Sequence, residues 1–252
     1  MGCDAAGIGV DDLRVGPKDF ALVRKTAQFP LVSANVVAKD GQMLAVASVV
    51  KNAGGLRWGI FSLVSANPTS VSPSKGWKVL DPVGSGRQVL KDFEGKADFI
   101  ILLASMPMGE LRALLPQLPG VTIAVAADEA SGLLRPLRMG ETIVVCSPPF
   151  GKYLGVLRLS LKDPHAAFAD AARITELERA LDVSEKNIKE RASGSSPEER
   201  NKMEAELQAL KKGNIYRNEL IMLSTNVQED PGVKKFIEDF RTQQRQSGKG
   251  CQ

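Results

Sequence analysis

Residues Ala97 to Leu103 read Ala-Asp-Phe-Ile-Ile-Leu-Leu, an almost unbroken apolar run. A strand with one wet face alternates apolar and polar residues, whereas a run without alternation suits a strand covered on both faces. The flanking sequence agrees with a layered arrangement. Glu110 to Leu115 reads as helix, stopped by Pro116 and Pro119-Gly120, and Val121 to Ala126 is strand again. Upstream, Phe29 to Val37, Leu44 to Val50 and Leu56 to Val64 are short runs of strand character. Asn52-Ala53-Gly54-Gly55 lies between the last two, as a hairpin turn would. Thr142 to Val145 and Tyr153 to Leu161 close the series. Strands alternating with helices predict a layered α/β domain over residues 1–162.

The pattern changes at Asp163-Pro164. Asp at an N-cap and Pro at the first helical position predict a helix start there. Ile174, Leu177, Leu181 and Ile188 follow at helical or heptad-like spacing, with charges between them. Gly194-Ser195 breaks this stripe. Ser196-Pro197-Glu198-Glu199 restarts it as a capping box, and Met203, Leu207 and Leu210 continue it to Gly213. This predicts an αα-hairpin whose seam is too short for a rod, and therefore a packing arm. Glu219 to Leu223 is a short apolar segment. Asp230-Pro231 starts a final helix with Val233, Phe236, Ile237 and Phe240 on one face, followed by a polar tail. Residues 163–252 thus form a second unit of hairpin, extended segment, helix and tail.

Composition sets bounds. With 252 residues, 43% of them hydrophobic, the chain holds one large domain, or one domain with an extension. A net charge of +4 without a basic stripe and interleaved aromatics excludes nucleic acid as a first choice of partner. No apolar run approaches the ~20 residues that span a bilayer. Met1-Gly2-Cys3-Asp4 is no signal leader; the chain enters its first strand so abruptly that Met1 also reads as an internal methionine of a longer precursor. Cys3, Cys146 and Cys251 are far apart and odd in number, so no disulfide or zinc framework is visible. His165 is the single histidine, and a histidine-rich metal centre cannot be built from this chain alone.

Four stretches carry a resemblance. They are Gly2-Cys3-Asp4-Ala5 through Gly9-Val10-Asp11-Asp12-Leu13-Arg14-Val15-Gly16, Phe29-Pro30-Leu31-Val32-Ser33-Ala34-Asn35-Val36, Trp58-Gly59-Ile60-Phe61-Ser62-Leu63 and Gly151-Lys152-Tyr153-Leu154-Gly155. In order and spacing they resemble the calcineurin-like metallophosphatase domain of the 5′-nucleotidase and UDP-sugar hydrolase family. The resemblance implies a four-layer αββα sandwich, here with the helical hairpin appended. It also implies what is missing. Family members use two metal ions to polarise a phosphate and generate hydroxide, held by Asp, Asn and His. The Asn and His of the glycine motif correspond to Val10 and Asp11 here. A further histidine corresponds to Ser105. The Gly-Gly-His-x-His motif corresponds to Ala126-Ala127-Asp128-Glu129-Ala130. The earliest Asp-x-His motif would lie upstream of Met1, so a first strand is also absent from view.

Asp11, Asp12, Asp128 and Glu129 invite a second reading. In the family fold their two loops meet at one cleft, and four carboxylates suit a hard divalent cation. The plainer reading is that they are solvated, or pair with Arg14 or Arg135. Cys146 lies at a strand end, but a nucleophile needs an adjacent base, and a small buried thiol is the plainer reading. Gly84-Ser85-Gly86-Arg87 hints at phosphate binding but lacks the Lys-Ser/Thr of a P-loop; a helix opened by Asp81-Pro82 accounts for it. Trp58 and Trp77 read as packing residues.

The segment from the hairpin through Asn214-Ile215-Tyr216 to the Asp230-Pro231 helix resembles the linker of bacterial proteins that fuse a nucleotidase-like domain to a multihaem cytochrome. Cys251-Gln252 then reads either as the first letters of a Cys-x-x-Cys-His haem c attachment motif or as an ordinary tail cysteine. These resemblances imply a periplasmic or other extracytoplasmic setting and a non-catalytic scaffold or interaction module without a cofactor of its own. A cytochrome or other electron-transfer protein is the implied partner, and the hairpin is a candidate for self-association. The alternative is a metal-dependent phosphoesterase with 5′-nucleotidase-like hydrolysis of nucleotides.

Overall fold

The structure is a computed structural model that describes residues 2–65, 76–127, 132–164, 166–189, 196–224 and 227–246. Its centre is a six-stranded sheet of β4 (Ser48–Ala53), β5 (Leu56–Val64), β7 (Phe99–Ser105), β8 (Ile123–Ala127), β10 (Thr142–Val145) and β9 (Leu137–Met139), in that spatial order. β5, β7, β8 and β10 run parallel, and the two outer strands are antiparallel to their neighbours. The apolar run that opened the sequence reading is β7, the third strand of the six. β4 and β5 form the expected hairpin, turned by Gly54 and Gly55, whose φ angles of 61° and 76° favour glycine.

Both faces of this sheet are covered, which is why its strands lack polar alternation. On the outer face lie α2 (Pro82–Phe93) and α3 (Met108–Leu114). Val89, Phe93, Leu111 and Leu114 pack there on Phe61, Leu63, Leu102, Ala124 and Val144, all buried. Asp81 caps α2, its carboxylate accepting from the Val83 and Gly84 amides, and Pro82 takes the first helical position. Gly86 lets α2 lie close, since a Cβ there would come within 2.8 Å of Leu118.

The inner face carries two half-sheets. One is formed by β1 (Ala6–Gly7) and β2 (Leu31–Val32), which are parallel. Beside it, β3 (Val36–Ala38) pairs with β6 (Trp77–Val79). α1 (Pro17–Thr26) closes this end by setting Phe20 edge-on to Trp77 at 6.1 Å. The other half-sheet has the order β11 (Tyr153–Ser160), β13 (Asn214–Met222), β12 (Phe168–Asp170). Phe168 meets Phe99 of the central sheet at 5.7 Å, and Tyr216 is buried between the two layers.

The hairpin consists of α4 (Ala171–Lys189) and α5 (Pro197–Lys212). Ile174, Leu177 and Leu207 pack with Ala169 of β12 and Ile215 of β13, so the expected arm forms the outermost layer on that side. The layers are therefore α2/α3, the central sheet, the inner half-sheets and the hairpin, an α/β sandwich. The capping box is present: the Glu199 amide donates to Ser196 Oγ (3.2 Å), and the Ser196 amide donates to Glu199 Oε2 (2.9 Å).

The helix start expected at Asp163-Pro164 is corrected. Asn214, wholly buried, accepts from the Lys162 and Asp163 amides and donates to the Asp163 and Ala166 carbonyls. That side chain fixes the segment as a turn, and β12 follows before α4 begins at Ala171. The short apolar segment expected at Glu219–Leu223 is, up to Met222, the end of the nine-residue β13. The unit boundary drawn at residue 162 falls between β11 and β12, which belong to one sheet through β13. α6 (Pro231–Gln246) begins where Asp230-Pro231 places it, and Val233, Phe236, Ile237 and Phe240 are all exposed on it.

Candidate functional site

Parallel strands end together, and in open α/β sheets ligands bind beyond their carboxyl ends. Here β5 ends at Val64-Ser65 and β7 at Ser105, and the loop after β1 carries Gly9 to Arg14 over them. Four of the residues singled out from sequence meet at this edge. The Val10 amide donates to Ser105 Oγ at 3.0 Å. The Ser65 amide donates to the Ser105 carbonyl (3.0 Å), and the Ser65 hydroxyl donates to Glu110 Oε2 (2.7 Å). Asp11 forms an ion pair with Arg14 at 2.8 Å, both on a 3-10 turn spanning Asp11–Arg14. Asp12 accepts from the Gly9 amide at 2.8 Å, holding the loop in its bend.

Two residues explain why the loop sits where it does. Gly7 crosses the central sheet so closely that a Cβ would lie 2.9 Å from Leu103 Cβ and 3.0 Å from Ser62 Cβ. Asn35 spends both its donors and an acceptor on backbone: its amide nitrogen donates to the Val64 and Leu80 carbonyls, and its oxygen accepts from the Val64 amide. Asn35 therefore ties β5, β3 and β6 together, a framework role that the Phe29–Val36 match did not by itself disclose. The Ser62 hydroxyl donates to the Val32 carbonyl at 2.6 Å and joins the same framework.

Among the described residues, the donor set at this edge does not make a two-metal centre. Val10 offers no side-chain ligand. Ser105 offers one neutral oxygen, already taken by an amide, and Asp11 and Asp12 are turned to Arg14 and Gly9. Among the described residues no group of three or more His, Cys, Asp and Glu side chains is placed to hold a metal ion. Asp128, Glu129, Ala130, His165 and Cys251 lie outside the described residues. Arg135, the other cation considered for the acids, pairs with Glu176 of α4 at 3.1 Å.

The remaining candidates have structural surroundings. Cys146 is buried in the core beneath α2 and α3. Gly84 to Arg87 lie within α2, whose first amides are taken by Asp81. Trp77 donates to the Val15 carbonyl, and Trp58 stacks on Phe99 at 5.0 Å.

No protein-family model matches the chain, and no curated protein matches it in sequence. Solved structures do match in shape. The sulfate thiohydrolase SoxB of Thermus thermophilus aligns with 64% of this chain and 30% of its own, at TM-score 0.56 and 19% identity. A 5′-nucleotidase precursor of the same species aligns with 63% of this chain and 36% of its own, at TM-score 0.54 and 24% identity. The NAD nucleotidase NadN of Haemophilus influenzae aligns with 96% of this chain and 45% of its own, at TM-score 0.61 and 14% identity. The fold is a metallophosphatase-type fold, and the chain spans 30% to 45% of the length of these proteins. No helix among the described residues is long and apolar enough to cross a membrane.

Proposed function

We propose that this chain is a non-catalytic scaffold or interaction module built on the metallophosphatase-type fold. The observation that carries the reading is the Val10 amide bonded to Ser105 Oγ. At two positions where the resemblance implies metal ligands, the chain closes a hydrogen bond on itself. Among the described residues, the carboxylates at this edge are engaged: Glu110 accepts from the Ser65 hydroxyl and Asp12 from the Gly9 amide. What the edge of the sheet can do with these groups is hold its own loops.

An extracytoplasmic setting and an electron-transfer partner belong to the same proposal. One neighbour in shape is a nucleotidase precursor. α6 presents Val233, Phe236, Ile237 and Phe240 at i, i+3, i+4 and i+7, exposed and suited to lie in a partner's groove. The resemblance of the segment from α4 to α6 to the linker of nucleotidase–cytochrome fusions supports a multihaem cytochrome as that partner, with Cys251 as a candidate haem attachment point. The alternative, a metal-dependent phosphoesterase acting on nucleotides through Asp11, Asp12, Asp128 and Glu129, is the outcome that sinks the main reading. Equilibrium dialysis with Mn²⁺, Zn²⁺ and Ca²⁺, paired with hydrolysis of a generic phosphate monoester, decides between them. Neither stoichiometric binding nor turnover is expected; both together overturn the scaffold reading.

A further inference from the structure

Every described side chain of α6, from Pro231 to Gln243, is exposed. The helix is nevertheless amphipathic. Val233, Phe236, Ile237 and Phe240 run along one side of it, each between 41% and 71% exposed. A helix of this length draws most of its stability from an apolar face packed on something else. A contiguous bare stripe of large side chains is therefore an interaction surface.

The charges between these residues say which partner fits. The sequence reads Val233-Lys234-Lys235-Phe236-Ile237-Glu238-Asp239-Phe240. Its halves mirror each other about the bond between Phe236 and Ile237: apolar residues mirror apolar ones, and lysines mirror acids. Within one helix this order is unfavourable. Lysines near the amino end oppose the helix dipole, and a Lys four residues ahead of an acid is the weaker order of an i, i+4 pair. Between two helices the same order is selective. In a parallel pair, lysines come level with lysines and acids with acids. In an antiparallel pair about a two-fold axis at Phe236-Ile237, Lys234 and Lys235 come level with Asp239 and Glu238 of the other copy. Val233 then lies level with Phe240, and Phe236 with Ile237, which is the self-complementarity a two-fold interface requires.

We propose that α6 is a self-association site that pairs antiparallel with α6 of a second copy of this chain. The inference goes beyond the scaffold reading and holds whether or not the chain binds a metal ion. A second copy and a cytochrome would compete for this one face. The hairpin, the other candidate for self-association, spends Ile174, Leu177 and Leu207 on Ala169 and Ile215. Lys234 meets Glu229 of its own chain at 2.8 Å, but both side chains are more than half exposed, and such a pair yields at little cost to another carboxylate. A seam of two turns falls short of the ~1,000 Å² of a stable interface, so the pair forms and separates with concentration.

Sedimentation equilibrium of the full chain in reductant, from about 1 µM to about 1 mM, reads the association. A reversible monomer–dimer equilibrium is expected. The double variant Phe236→Ser, Phe240→Ser, checked for native circular dichroism, should weaken it by at least about tenfold. A charge-swapped chain carrying Lys234→Glu, Lys235→Glu, Glu238→Lys and Asp239→Lys tests the orientation. Antiparallel pairing expects this chain to associate with itself as the wild type does, and only weakly with the wild type. Parallel pairing expects the wild type and the swapped chain to prefer each other. A mixed dimer as strong as the homodimers or stronger therefore overturns the proposal, as does loss of self-association in the swapped chain. A full chain that stays monomeric up to about 1 mM, or a dimer that survives the double serine change, overturns it as well.

Discussion

Ser105 shows how a single side chain decides what the edge of the sheet can do. A hydroxyl is shorter than an imidazole and both donates and accepts, so it can be used up locally. Ser105 accepts from Val10 and stands beside Gly9, where a Cβ would come within 3.3 Å of its Oγ. Tyr216 is the other residue whose chemistry is set by place. It is 2% exposed, and burial above all, then the neighbouring Asp170 carboxylate, pushes its phenol up to about 12, against an opposing pull from Arg138. An unfolded tyrosine ionises near ~10. Between these values the native state keeps a proton that the unfolded state has lost, so native stability falls as pH rises through that window. Its contribution is fully present below about pH 10 and lost by about pH 12. Urea midpoints of the wild type and Tyr216→Phe, compared between pH 9 and 12, should diverge with the wild type losing more. Parallel curves would remove Tyr216 from the alkaline response.

At the scale of elements, the hairpin makes a quantitative claim. Leu177 is 2% exposed and sits where α4, α5 and β12 meet. Leu177→Ala should destabilise the protein by about 2–5 kcal/mol through lost burial and an unfilled cavity. Ser196→Ala, which removes a capping bond far from that contact, should cost about 1 kcal/mol. Equal effects in denaturant titrations would mean that α4 and α5 hold only each other and not β12 and β13. The elements also show what a sequence can disclose. β7, the β4–β5 hairpin, the capping box and α6 were legible because each carries a local signal: a run, a pair of glycines, Ser-x-x-Glu, Asp-Pro. α1 was not legible, since Phe20 is its one buried side chain and gives no period. The false helix start at Asp163-Pro164 had the right local chemistry but was overridden by Asn214, a partner about fifty residues away. At the candidate site, Val10, Asp11 and Ser105 were legible through the resemblance alone. The hydrogen bond between Val10 and Ser105, and the framework role of Asn35, are long-range facts that no spacing contains.

On the scale of the molecule, the question is whether residues 1–162 and 163–252 behave as two units. The sequence changes character at the boundary, and many domains are divided at such a change. The sheet, however, crosses it. β11 pairs with β13 along its whole length, from Tyr153 opposite Met222 to Ser160 opposite Ile215. Phe168 of β12 packs on Phe99 of the central sheet, and Arg135 reaches Glu176 on α4. If the hairpin layer unfolded first, β11 would lose its paired neighbour β13, and the inner face of β7 and β8 would be uncovered. Such a state exposes too much apolar surface to be populated. The full chain should therefore unfold in one calorimetric transition, with equal calorimetric and van't Hoff enthalpies. A chain ending at Leu161 should lose that transition and scatter light as a larger species, because β11 then loses β13 and presents that edge unpaired. Two resolved transitions in the full chain, or a monomeric and cooperative shortened chain, would show instead that the first 161 residues close a core of their own and that β13 is a guest at its edge.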